Sequence, residues 1–390
     1  MVSIARLPLA FLLFVLVATL TRIGADSDFS VSSASTESVD SSTENVNFVK
    51  QWTLTATNSH NDGDNDDNDD DDSDDSSDDG DKIDSIKLQL PGRVFISYSS
   101  NLPAGVLGYV NVSGDSQSVV DTVKVSSNDD DEELEVKYDG RSNSSTGYLL
   151  TEIFLATSNI VDDVEIESTA EVVIEDGVLF ASNTNKEVQI KAKHSSVVYV
   201  SSSPMSLQDL KLELSDSATL QLSTDSITLR EDGQFQAHDR SSINVLTSSL
   251  TVDDLDLDAE NSGTICISAT EVKARNYDGQ DRSRISLPNA SSKYTSTGTA
   301  SCDEVSIPSR EPGCVSSSAC SSTTSTSTTS TSTPSSSSTS TTTSVPSSST
   351  TASSSDAIRT SEQTSDAVAS TKFYVVGMAL TTGLLMAISL

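Results

Sequence analysis

The feature that most restricts how this chain can fold is a repeat. Short alternating triplets occur in pairs: Val164-Glu-Ile166 with Val172-Val-Ile174, Val188-Gln-Ile190 with Val198-Tyr-Val200, Leu210-Lys-Leu212 with Leu220-Gln-Leu222, Phe235-Gln-Ala237 with Ile243-Asn-Val245, and Leu255-Asp-Leu257 with Ile265-Cys-Ile267. The second member of each pair begins at 172, 198, 220, 243 and 265, in steps of 26, 22, 23 and 22 residues. Alternation with period two places one row of side chains on each face of a strand. A spacing of about 20–30 residues is one coil of a β-solenoid, which buries its apolar face only by stacking on the next coil. Between the two strands of a pair stands a small polar turn, Ser195-Ser196, Ser217-Ala218, Ser241-Ser242 and Ser262-Gly263. A sandwich of hairpins would favour Asn-Gly or Asp-Gly turns. Within the repeats these occur only at Asp176-Gly177 and Asp232-Gly233.

Strand-like alternation begins earlier, at Ile86-Lys-Leu88-Gln-Leu90 and Val94-Phe-Ile96, and continues through Val119 to Val125 and Leu134-Glu-Val136. No helical stripe interrupts it. The chain therefore predicts an all-β, parallel β-helix or solenoid-like head over residues 86–300, flanked by disordered acidic and Ser/Thr-rich segments.

The ends read as processing signals. Residues 1–25 have a basic start at Arg6, an apolar run from Leu7 to Leu20 and a small-residue exit at Gly24 and Ala25. This is the layout of a secretory signal peptide, with a core too short for a membrane span of about 20 residues. Residues 372–390 begin at Lys372 and continue with no charge from Phe373 to Leu390. A retained span normally carries charge on its cytoplasmic side. The tail resembles a GPI-attachment signal, with Ser355, Ser361 and Ser365 as candidate attachment residues; a plain C-terminal membrane helix is the alternative. Ahead of it, residues 321–371 hold a Ser/Thr-rich stalk. From Ser321 to Ser355, 31 of 35 residues are Ser or Thr, the composition of a mucin-like, O-glycosylated segment.

Export is consistent with the remaining composition. A formal charge of −35 disfavours nucleic acid. Four cysteines, Cys266, Cys302, Cys314 and Cys320, predict two disulfides with three connectivities open; residues 301–320 read as a Cys-containing junction. Sequons at Asn111, Asn143 and Asn289 are candidate N-glycosylation sites.

Residues 26–85 are mostly acidic and read as disordered, with one strand expected over 47–57 around Phe48, Trp52 and Leu54. The run from Asn61 to Asp84 is nearly all Asp, Asn, Ser and Gly, so it repels itself and has nothing to bury. Its nearest approach to a calcium loop is Asp75, Asp79 and Asp81. The closing position that needs a bidentate Glu is Ile86, so no metal site is expected.

Gly108 to Asp115, Leu134-Glu-Val-Lys-Tyr-Asp-Gly140, Leu150 to Leu155 and Val164 to Ile174 together resemble the auto-transporter adhesin head GIN domain family. The resemblance covers roughly residues 86–275. It implies a right-handed β-helical module at a cell surface, with adhesion as its role and no catalytic residues to carry over. The acidic segment and the stalk depart from the family.

No phosphate loop, dinucleotide fingerprint or nucleophile elbow is present. His60, His194 and His238 stand near Ser and Asp, as chance dictates in a chain this rich in both. The sharpest enzymatic alternative is a polysaccharide lyase or hydrolase on the β-helix, with Asp216, Asp239, Arg240 and Asp258 as its acidic and basic groups. Paired carboxylates for glycoside hydrolysis must lie about 5–10 Å apart, and stacked coils repeat every ~4.8 Å. Charged turn residues need no such role. The sequence thus points to a non-enzymatic surface or wall protein, without cofactor, held to the membrane and displaying its head to an extracellular glycan or protein.

Overall fold

The computed structural model describes residues 29–57, 82–128, 131–139, 146–294 and 296–316. All belong to the first of the two units into which the chain divides, Met1–Thr326; the second, Ser327–Leu390, lies outside the described residues. The residues read as a signal peptide, residues 61–81 of the acidic run, and the segments read as stalk and apolar tail lie outside them too.

Each coil contributes one strand to each of two sheets. The first sheet stacks, in parallel, Tyr148–Leu155, Arg93–Tyr98, Glu171–Ile174, Val197–Ser202, Thr219–Thr224, Ser242–Leu246, Thr264–Ser268 and Ile285–Ser286. The second stacks Asp131–Tyr138, Ser85–Gln89, Asp163–Ser168, Ser182–His194, Met205–Leu214, Asp232–Ala237, Ser249–Ala259 and Glu271–Gln280. The triplet pairs of the sequence are the strands of successive coils. The fold is a β-solenoid.

Register explains the repeat. In the first sheet Val94, Val172, Val198, Leu220, Ile243 and Ile265 align, and in the second Ile86, Val164, Ile190, Leu212, Phe235 and Leu257. All are buried in one continuous core. Because side chains alternate across a strand, a slip of one residue would turn this whole column to solvent.

The corner between the sheets is equally repetitive. His194, Asp216, Asp239 and Asn261 adopt left-handed backbone with φ of 62°, 60°, 60° and 55°, a conformation that Asn, Asp and His tolerate better than other side chains. Just beyond them Ser196, Ala218 and Ser241 point inward and are buried. At the next coil Gly263 leaves no room at all: a Cβ there would lie 1.9 Å from the Ala237 carbonyl oxygen. The small turn residues are therefore a packing requirement.

Winding order departs from chain order at the first end. The coil built from Ser85–Gln89 and Arg93–Tyr98 lies between that of residues 163–174 and that of residues 131–155. Residues 131–155 cross to the far side, where strands from before and after the 85–98 coil pair on as a cap. There Val106–Gly114 pairs antiparallel with Tyr148–Leu155, Phe48–Ala56 with Val106–Gly114, and Phe29–Ser33 with Phe48–Ala56.

Two expectations are corrected here. Residues 29–46, read as disordered, include the strands Phe29–Ser33 and Glu37–Ser38, because Phe29 is buried in the core. The segment from Val119 to Val125, read as one strand, is the helix Gln117–Thr122 followed by the strand Val123–Asn128; Val119 and Val120 face the core together from one helical turn. Of residues 301–320, read as a Cys-containing junction, the described part, 301–316, returns along the outer surface of the first sheet as a strap. Among the described residues no helix is long and apolar enough to cross a membrane.

Candidate functional site

Among the described residues, two open grooves and the outer face of the second sheet offer surface to a ligand. The first groove, about 440 Å³, lies along the left-handed corner and is lined by Asp216, Ser217, Asp239, Arg240, Asn261 and Ser262. It brings together three of the four residues that the sequence offers for polysaccharide chemistry. Their carboxylates are engaged in holding the corner. Asp216 Oδ2 accepts the His194 backbone N–H at 3.0 Å, and Asp239 Oδ1 accepts from Asn261 Nδ2 at 3.2 Å. Each coil thus fixes the backbone or side chain of its neighbour, a sufficient reason for Asp and Asn at these positions. Asp258 is not in the groove. It sits on the second-sheet strand Ser249–Ala259, where burial, and next the charge of Glu260, raise its pKa. His238 Nδ1 stands 3.3 Å from Glu260 Oε2.

The second groove, about 520 Å³, runs beside the strap and is lined by Asp176, Ser201, Ser203, Thr224, Asp225 and Glu304 among others. It is rich in hydroxyl groups. Asp176 accepts from the Ser203 N–H at 2.6 Å and from its hydroxyl at 2.9 Å, and Thr224 Oγ1 donates to the Ser203 carbonyl at 2.8 Å.

The outer face of the second sheet is a charge ladder. Lys87 Nζ lies 2.6 Å from Glu165, Lys193 Nζ 2.8 Å from Glu167, and Lys211 Nζ 2.7 Å from Glu187. The hydrogen bond from Lys193, joined by one from Gln89, holds the Glu167 carboxyl down to about 2. Beyond Lys211 the same columns run through Gln234 to Asp256 and Asp278, and through Gln236 to Asp258. Burial is the main force raising the Asp256 pKa, followed by the charges of Asp278 and Asp258. The buried Oδ1 atoms of Asp256 and Asp258 have no hydrogen-bond partner among the described residues. No group of three or more His, Cys, Asp or Glu residues there could hold a metal ion.

The modification candidates fall in different settings. Asn111 is half-buried in Val106–Gly114, and its Oδ1 accepts from Gln51 Nε2 at 2.8 Å. Asn289 is exposed beyond the last coil. Cys266 and Cys302 form a disulfide with Cα atoms 5.4 Å apart, which settles one pairing that the sequence left open. Cys314 is disulfide-bonded as well. Asp75, Asp79, Asp81, Asn143, Cys320, Ser355, Ser361 and Ser365 lie outside the described residues.

The strap is the feature the sequence did not disclose. It follows a column of outward side chains in which Phe95, Val173, Tyr199, Gln221, Asn244 and Cys266 align across the first sheet. Asn244 Nδ2 donates to the Asp303 carbonyl at 3.0 Å. Gln221 donates to the Val305 carbonyl at 3.1 Å and accepts its N–H at 2.7 Å. Arg93 donates to the carbonyls of Ser309 and Glu311 at 2.9 and 3.1 Å. Arg310 lies 4.7 Å from the centre of the Phe95 ring and donates to Glu175 at 2.6 Å, Ser97 at 2.8 Å and Glu152 at 3.0 Å. Gly313 and Cys314 then pair with Leu149 and Tyr148 in the cap.

No protein-family model and no curated protein matches this chain. Solved structures do. A candidate adhesin from Parabacteroides distasonis ATCC 8503 is 16% identical with a TM-score of 0.30, over 51% of this chain and 91% of its own. One from Parabacteroides merdae ATCC 43184 is 14% identical with a TM-score of 0.29, over 50% and 90%. A third, from Bacteroides fragilis NCTC 9343, is 14% identical with a TM-score of 0.26, over 51% and 90%.

Proposed function

We propose that this chain is a cell-surface or cell-wall protein that presents its β-solenoid head on a glycosylated stalk, for adhesion or wall structure. One observation carries the reading. A solenoid clamped by the Cys266–Cys302 disulfide, a bond that persists in oxidising compartments, runs directly into a Ser/Thr stretch and an uncharged apolar end. The two polar grooves and the charged flat face supply binding surface, and the corner carboxylates are already engaged in structural hydrogen bonds. An extracellular glycan or protein is the proposed ligand.

The anchor is tested by treating intact cells with phosphatidylinositol-specific phospholipase. Release of the protein supports a lipid anchor; full retention together with an intact C-terminal peptide by mass spectrometry overturns it in favour of a membrane helix. The ligand is tested by applying the full-length protein to a glycan array. Product formation from wall polysaccharides that is lost in Asp216→Ala or Asp239→Ala would overturn the adhesive reading.

A further inference from the structure

We propose that residues 303–314 form a strap that opens as a unit, ahead of any coil, and that the Cys266–Cys302 disulfide stops the opening at Cys302. The strap and the coils are held by different kinds of bond. The coils are joined by continuous parallel ladders along both sheets. The strap crosses the strands of the first sheet, so it is held by single side chains: Asn244, Gln221, Arg93 and Arg310. Its one stretch of backbone pairing with that sheet among the described residues is Gly313–Cys314.

The strap is also extended, spanning roughly three quarters of its maximum reach. From the strand of Cys266 to that of Leu149 the first sheet takes six steps, about 29 Å at ~4.8 Å each. The eleven residues from Cys302 to Gly313 reach at most about 36–40 Å. It therefore lies extended along the stacking direction, with its far end bonded covalently to Cys266 and its near end in the cap. The described chain leaves the head at that near end, where the Val315 N–H donates to the Gly147 carbonyl at 2.8 Å. Tension arriving from beyond residue 316 meets the cap pairing first, then Arg310 and Arg93, then Gln221, then Asn244. The bonds are loaded in succession, and the last of them gives way to a covalent stop.

Opening has a chemical consequence. Phe95, Leu150, Val173 and Tyr199 form an apolar cluster on the outer face of the first sheet, separate from the core and buried. Arg310 sits over Phe95. Lifting the strap bares this strip across neighbouring coils while the interior stays packed. The inference rests on the tethered reading only in that the tail is where tension enters.

The test pulls the full chain between its two ends in optical tweezers, with no membrane present, so its outcome is independent of whether the anchor exists. The expected record begins with a reversible step of about 40 Å of contour, the length of residues 303–314, before any coil unfolds. Arg310→Ala lowers the force of this step and leaves the later ones unchanged. In the Cys266→Ser/Cys302→Ser chain the stop disappears, and the first step runs on into release of residues 285–301 and the last coil. A wild-type record in which the coils unfold before or together with the strap overturns the proposal. So does a step pattern that is the same in the presence and absence of the disulfide, or a first step whose force ignores Arg310→Ala.

Discussion

At the scale of single residues, the corner of the solenoid is the least forgiving place in the head. Gly263 occupies the position where earlier coils carry Ser241, Ala218 and Ser196, yet its Cβ would meet the Ala237 carbonyl at 1.9 Å. Gly263→Ala should therefore destabilise the protein by about 1–3 kcal/mol, the usual range for overpacking, visible as a lower thermal midpoint. Asp216 holds φ at 60° and caps the His194 N–H. Asp216→Val forces a β-branched side chain into left-handed backbone, which costs roughly 1–2 kcal/mol, and removes the hydrogen bond as well. An Asp216→Val protein as stable as the wild type would refute this account of the corner. These positions were half legible. The small residues at 195–196, 217–218, 241–242 and 262–263 stood out by their period. The left-handed residues just before them did not, because Asp and Asn in a turn need no special conformation to be common there.

At the scale of elements, the strands of residues 163–268 were readable because each must bury alternate side chains against the same neighbours, and stacking keeps the spacing constant. The cap broke the same logic. Val119, Val123 and Val125 look like strand alternation, but Val119 and Val120 point inward from one helical turn, and helix and strand are not separable by periodicity over so few residues. Nor could alternation show that the 85–98 coil lies inside the 131–155 one, since every coil presents a similar apolar face. The strap left no mark because it is held by polar side chains gripping backbone, which needs no hydrophobic pattern. The other end of the solenoid shows how an exposed strand edge is closed. Tyr294 accepts the Ala274 N–H at 2.8 Å and donates to the Val272 carbonyl at 3.0 Å, with its ring edge-on to Tyr277 at 5.3 Å. Such an edge would otherwise invite pairing with another chain. Tyr294→Phe leaves both backbone groups buried without a partner, at about 1–3 kcal/mol. Amide exchange across Glu271–Gln280 should accelerate, and strands of the cap should not change.

At the scale of the whole molecule, charge and covalent closure set the conditions for stability. Burial raises the pKa of Asp162, Asp163, Asp232, Asp256 and Asp258. The folded state therefore binds protons more readily than the unfolded chain at these groups, and stability rises as pH falls from neutral through their raised values. Glu167 acts in the opposite sense. Held at about 2 against an ordinary 4.5, it contributes stability above the ordinary value that is lost as pH falls toward 2. The thermal midpoint should climb from pH 8 into the mildly acidic range and drop below pH 4. Asp256→Asn should raise it at neutral pH and flatten the climb. A midpoint that declines steadily from pH 8 to 5 would contradict this balance. The Cys266–Cys302 bond closes 36 residues, worth about 4 kcal/mol by loop-closure entropy; reduction should lower the denaturant midpoint accordingly.

The displaced coil also matters for the order in which the head is made. As the chain emerges from synthesis, Ser85–Gln89 and Arg93–Tyr98 appear before either of the coils that flank them. One edge is later covered by residues 131–155 and the other by residues 163–174. In order of synthesis the strands that cover the cap-side edge of this pair, residues 131–155, are complete before those of residues 163–174 that cover the other.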